Sequence, residues 1–121
     1  MVFDGATGTL YQNSGLDRED FTLRDSDVLP SQVRLAAQRL DGAFLEGCNE
    51  ILVFTRPELV EEIHGRYLAA GSDIIETNTF GNTSIVMGEF GIEDLVYETS
   101  VAAAQIAKRA TNAYSTADRP R

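Results

Sequence analysis

Two stretches of this chain read as β-strands, and each ends in a polar cluster. Val2-Phe3 runs into Asp4-Gly5-Ala6-Thr7-Gly8-Thr9, and Asp73-Ile74-Ile75 runs into Glu76-Thr77-Asn78-Thr79-Phe80-Gly81. A helical pattern lies between them and another follows the second, so the order is strand, excursion, helix, strand, helix. That alternation belongs to parallel sheets, whose ligands are held at the carboxyl ends of the strands. Two strands leave unpaired edges and an uncovered face. The expected fold class is therefore α/β, with these residues the amino-terminal portion of a larger barrel that stops before a third strand.

The helical patterns are specified by spacing. Thr55-Arg56-Pro57-Glu58 offers a Thr-x-x-Glu cap with Pro in the first turn, and Leu59, Val60, Ile63, Tyr67 and Leu68 form a stripe ahead of Gly71. A helix over 57–70 is predicted. A long final helix carries Ile92, Leu95, Val96, Ala103, Ile106, Ala107 and Ala110 on one face, and residues 85–90 read as one or two helical turns. Residues 13–30 are polar and acidic and read as a surface loop. Val33, Ala36, Ala37 and Leu40 recur at helical spacing before Gly42. That stripe is thin, which predicts a helix on the surface. The glycines at 5 and 8 predict a tight, exposed turn after the first strand, and 115–121 reads as a polar tail.

Charge excludes some partners. Nineteen acids against ten bases give a formal charge of −9, and no basic patch is dense enough for a nucleic acid or an anionic membrane surface. No apolar run approaches the ~20 residues that span a bilayer. No secretory signal is read ahead of the first strand, and the single cysteine, Cys48, cannot form an internal disulfide. These features predict a cytoplasmic protein.

Side chains alternate along a strand, so Ile74, Glu76 and Asn78 are expected on one face and Ile75, Thr77 and Thr79 on the other. If Ile74 faces inward, Glu76 and Asn78 point toward the mouth of the barrel. A carboxylate there is either structural, satisfied by backbone amides, or a ligand group. Asp4 with Gly5 is likewise either a common Asp-Gly turn or a receiver for a ligand ammonium, with exposed amides beside it for an anion. Neither nucleotide-loop pattern is present. Asn49 is a candidate third polar contact. His64 reads as a helix-face residue without an acid partner, and Cys48 as a small loop residue with no second thiol at metal-ligand spacing.

The segments DGATGT, GCNEILVFTRPELV, IHGRYLAAGSDIIETNTFG and AAAQIAKRA resemble, in order and spacing, the opening of the homocysteine S-methyltransferase family, most closely the homocysteine-binding domain of its cobalamin-dependent members. ETNTFG after AAGSD is the specific signature, and STADRPR resembles the stretch before the third strand. The resemblance implies a (β/α)8 TIM-type barrel, of which residues 1–121 supply the first two βα units, with a longer excursion at about 22–45 between the first barrel strand and its helix. It implies a substrate pocket in which Asp4 and Gly5 hold the amino-acid end of homocysteine, Asn49 assists, and Glu76, Thr77 and Asn78 line the floor. It implies methyl transfer to the homocysteine thiol to make methionine, with zinc held by three cysteines of later strands; Cys48 matches none of them.

By the same resemblance the expected methyl donor is methylcobalamin with methyltetrahydrofolate behind it, and the expected partners are the remaining barrel and further domains of the same protein. Catalytic residues are not assigned within the chain. A betaine- or sulfonium-dependent enzyme, a truncated remnant that only binds, and a different barrel enzyme whose first turn holds a phosphate stand as alternatives. ETNTFG disfavours the last of these. The excursion at 22–45 is read as either a modifier of access and docking or a neutral insertion.

Overall fold

The long final pattern sets the frame. In the computed structural model, which describes residues 1–121, it forms a helix over Val96–Tyr114 (α6) that buries Ala103, Ile106, Ala107 and Ala110. Spacings of three and four place these on one face. The facing element is α4, Pro57–Ala69, with Pro57 in its first turn and Leu59, Val60, Ile63 and Leu68 buried. Tyr11 of α1 (Thr7–Gln12) and Leu52 and Val53 of α3 (Leu52–Thr55) join this cluster. Gly71, with φ 114°, supplies the left-handed residue just beyond the end of α4.

A second core lies beneath the excursion. Helix α2 (Ser31–Leu40) buries Val33, Ala36 and Ala37 against Leu23, Leu45, Cys48, Ile51, Met87, Ile92 and Leu95. The expectation of a surface helix is thus corrected. A narrow alanine stripe buries well when the bulk comes from its partners, here Met87 of α5 (Ser84–Gly88) together with Ile92 and Leu95. Arg39 fastens α2 from outside, donating to Asp94 at 3.0 Å and to the Gly91 carbonyl at 2.8 Å. The helix ends at Asp41 and Gly42, both with positive φ. The excursion therefore supplies half of this second core.

The acidic stretch ahead of it is also more ordered than a loop. Asp17 caps a 3₁₀ turn over Arg18–Phe21, accepting from the amides of Glu19 and Asp20, while Asp20 accepts from the Asp17 amide. Thr22 and Phe44 then form an antiparallel bridge. The expected cap of α4 does not form. Thr55 lies in the last turn of α3, so its hydroxyl donates to the carbonyls of Asp20 and Ile51, and Arg56 bridges Asp20 and Glu58 beside it.

Neither expected strand is complete. Phe3 and Ile74 form a single parallel bridge, with the Asp4 amide donating to Ile74 at 3.0 Å and the Ile74 amide to Val2 at 3.1 Å. Each extended segment has a backbone neighbour on one side, so no ladder lengthens the pairing. Beyond Ile75 the chain turns: the Thr79 amide donates to Thr77 and the Asn82 amide to Thr79. The predicted alternation over 76–79 fails for that reason, with Glu76 and Thr77 exposed and Asn78 buried. Neither Gly5 nor Gly8 takes a positive φ, and Gly8 sits inside α1, so the glycine-forced turn is replaced by an early helix. The polar tail folds back, Arg119 donating to Asp73 and to the Gly71 carbonyl, and Arg121 to the carbonyls of Leu68 and Ser72. No helix is long and apolar enough to cross a membrane.

Two predictions follow from this packing. Phe3, in the bridge, is 61% exposed, Ile85 is 82% exposed and Phe80 is fully exposed, so large apolar side chains are left uncovered. Covering one such side chain contributes about 1.5–3 kcal/mol. The 121-residue chain by itself should unfold in denaturant with a weak, broad transition, and a sharp cooperative transition of a monomer would contradict this. His64 is buried, neither ring nitrogen has a hydrogen-bond partner, and desolvation holds its pKa below the ordinary value against the pull of Asp4 and Glu61. Unfolded chains take up that proton near pH ~6.5 and the folded one does so only at lower pH, so stability should fall as pH drops through that range. Replacing His64 by Leu should flatten this dependence, as read from denaturation midpoints across pH.

Candidate functional site

The parallel bridge brings the carboxyl ends of the two extended segments together. The Asp4 carboxylate reaches across and accepts the Glu76 amide at 3.0 Å, closing the gap where the backbone pairing stops. The first loop is held from below by α4. The Tyr67 hydroxyl donates to the Ala6 carbonyl at 3.0 Å, and a Cβ on Gly5 would meet that hydroxyl at 3.4 Å. A side chain at position 5 would thus make ordinary van der Waals contact with the Tyr67 ring, and neither space nor a positive φ demands glycine there.

Between these ends lies a cleft of about 740 Å³ lined by fourteen residues. All six residues singled out from the sequence, Asp4, Gly5, Asn49, Glu76, Thr77 and Asn78, are on its wall. They are not equivalent. Asn78 is buried and donates its side-chain amide to the Asn49 carbonyl at 2.8 Å, so these two residues brace the wall. Glu76 is exposed and its carboxylate makes no hydrogen bond, which leaves it open to the cleft. The Thr77 hydroxyl pairs with that of Thr79 at 2.7 Å.

Two wall residues escaped the sequence reading. Glu50 is 7% exposed and accepts the Gly81 amide at 2.7 Å. Tyr11 is 2% exposed, its hydroxyl has no partner, and burial beside the Glu50 charge pushes its pKa well above the usual phenol value. A signal for Glu50 existed: a carboxylate immediately before the apolar run Ile51-Leu52-Val53-Phe54 lies at the edge of a core. With Asp4, Glu50 and Glu76 the cleft has three carboxylates, and its lining includes no Lys, Arg or His. Such a wall attracts a cationic group and repels an isolated anion.

Cys48 is a core residue. Its thiol is fully buried, and desolvation pushes its pKa up to about 12, so it stays protonated at neutral pH. No group of three His, Cys, Asp or Glu side chains is placed to hold a metal ion. A structural or catalytic zinc takes at least three such ligands, any thiol among them deprotonated, so these residues do not fit zinc.

The chain belongs to the homocysteine S-methyltransferase family, whose profile matches residues 1–121. It is 38% identical over 121 residues to the methionine synthase of Mycobacterium leprae (strain TN), a match that covers 100% of this chain and 8% of that protein.

The state of Cys48 yields a prediction. The purified chain should carry no stoichiometric zinc by elemental analysis, and its thiol should react with a disulfide reagent only slowly until denaturant is added. One tightly held zinc per chain, lost on Cys48→Ser, would contradict this assignment.

Proposed function

We propose that these residues form the amino-acid-binding wall of a homocysteine S-methyltransferase of the methionine synthase type, within a (β/α)8 barrel that other residues complete. The observation that carries the reading is an all-acidic cleft at paired strand ends in a member of this family. Homocysteine presents an ammonium, a carboxylate and a thiol. Asp4 and Glu76 receive the ammonium, because both are carboxylates at the same mouth and Asp4 is already oriented by the Glu76 amide. Backbone amides beginning at Gly5 face the substrate carboxylate, which the acidic side chains alone would repel. Asn49 and Asn78 hold the floor through their mutual hydrogen bond, and Thr77 lines it.

The chemistry requires a thiolate. A thiol of pKa ~8.5 is mostly protonated at neutral pH, and a cation held by residues outside this chain would supply the positive charge that lowers it. Zinc, the cation the resemblance implies, has its ligands outside these residues, since Cys48 is a protonated core thiol. What this chain contributes is orientation: fixing the ammonium end of the substrate directs its thiol away from Asp4 and toward the rest of the mouth. The sequence resemblance to the cobalamin-dependent members of the family favours methylcobalamin, recharged from methyltetrahydrofolate, as the methyl donor over betaine or a sulfonium compound. The lone, unpaired cysteine suits a reducing cytoplasm.

The test is steady-state kinetics of the full-length protein with homocysteine varied. Asp4→Asn keeps an acceptor for the Glu76 amide and removes the charge; Glu76→Gln removes the open charge. Each should raise the KM for homocysteine by roughly tenfold or more, the order expected when one partner of a desolvated ionic contact is lost. Zinc content and the KM for the methyl donor should stay at the parent values, and His64→Gln should leave the homocysteine requirement unchanged. Parent-like homocysteine binding by Glu76→Gln would make Glu76 a structural residue and overturn the assignment.

A further inference from the structure

The segment Glu76–Gly81 carries two of the proposed substrate contacts, yet no strand ladder holds it. Three hydrogen bonds tie it to the rest of the cleft: the Glu76 amide to Asp4, the Asn78 side chain to the Asn49 carbonyl, and the Gly81 amide to the Glu50 carboxylate. Two of these three anchors stand on consecutive residues of one 3₁₀ turn, Asn49–Ile51. That turn is rigidly seated, because Ile51 and the preceding Cys48 are fully buried in the core beneath the excursion.

Glu50 is the unusual member. It is 7% exposed, and none of the ion pairs in the structure includes it. A buried carboxylate without a counter-charge is costly unless it accepts strong hydrogen bonds. Its Oε1 accepts the Gly81 amide at 2.7 Å, a charge-assisted bond, while Oε2 is met only by the weak Cys48 thiol at 3.9 Å, and the Tyr11 hydroxyl, close enough to feel the charge, makes no hydrogen bond to it. Space as well as charge fixes this arrangement. A Cβ on Gly81 would lie 2.8 Å from Oε1 of Glu50 and 3.3 Å from both its Cδ and a methyl of Val86. The carboxylate occupies the volume that a side chain at position 81 would need.

We propose that Glu50 is a positioning residue: its carboxylate clamps the far end of the Glu76–Gly81 loop and thereby sets where Glu76 and Thr77 meet the substrate. The clamp itself is a local feature of the fold; its role in substrate binding rests on the homocysteine reading above. Position 81 is a glycine because the clamp fills it. Shortening the acid by one methylene should make room for a methyl group there, so residues 50 and 81 are coupled sterically.

The test uses the full-length protein, with amide hydrogen exchange of peptides spanning 76–82 and calorimetric titration of homocysteine. Glu50→Ala and Gly81→Ala should each speed exchange of the loop by about tenfold, the effect of losing one charge-assisted bond, and weaken homocysteine by a similar factor. Glu50→Gln, which retains an oxygen acceptor but loses the charge, should fall between the parent and Glu50→Ala in loop exchange. The double variant Glu50→Asp with Gly81→Ala should recover most of what Gly81→Ala loses, and this pair carries the test if Glu50→Ala does not fold. Loop exchange unchanged in Glu50→Ala, or a double variant no better than Gly81→Ala alone, would overturn the clamp. Faster loop exchange with parent-like homocysteine affinity would overturn its role in positioning. A parent protein that does not bind homocysteine would overturn the functional reading and the substrate role with it, while exchange still decides the clamp.

Discussion

The site depends on a pairing one residue wide. Phe3 and Ile74 form the parallel bridge that brings two distant polar clusters to one mouth, and Asp4 extends the contact by accepting the Glu76 amide where the backbone bonds end. A slip of one residue would turn Asp4 away from that amide and invert the side chains of the short strand. Everything behind the bridge serves to hold it. Arg119 secures Asp73 from the tail, Asp73 accepts the Val2 amide, and Tyr67 of α4 grips the loop after Asp4.

Charge is distributed with the same division. The bases of the chain are spent on the outside: Arg39 with Asp94, Arg56 with Asp20 and Glu58, Arg119 with Asp73. The cleft acids Asp4, Glu50 and Glu76 take part in none of the ion pairs. A formal charge of −9 is an undirected property of the whole chain, but three unpaired carboxylates around one cleft give it a direction. The positive partner they lack is what an amino-acid substrate brings. Glu50, the deepest of the three, is engaged by a backbone amide, which separates its structural task from the recognition assigned to Asp4 and Glu76.

The sequence was legible where spacing and chemistry agreed. The stripes of α4 and α6 follow helical periodicity; α4 formed close to the expected 57–70, whereas α6 begins only at Val96, and Ile92 and Leu95, expected on its face, lie at and within a 3₁₀ turn over Glu93–Leu95. That Asp4, Gly5, Glu76, Thr77 and Asn78 line one cleft was readable because each cluster joins a carboxylate to small polar groups at the end of an apolar run; Asn49 was read instead from a loop end. Helix α2 was misjudged because alanines contribute little hydrophobicity individually, while their partners Met87, Ile92 and Leu95 lie some fifty residues away in sequence. The strand expected over 73–79 failed because a Thr77–Thr79 turn carries no glycine or proline to announce it. Glu50 was passed over since an acid ahead of a helix normally faces solvent, and its amide partner at Gly81 is visible only in three dimensions.

The central claim is that the paired strand ends recognise an ammonium group. The most direct measurement is calorimetric binding to the full-length protein of homocysteine and of 4-mercaptobutanoate, which keeps the thiol and carboxylate and lacks the amine. The account predicts that the analogue binds at least about a hundredfold more weakly, since it leaves the cleft carboxylates without their partner. Equal affinity for the two compounds would contradict it.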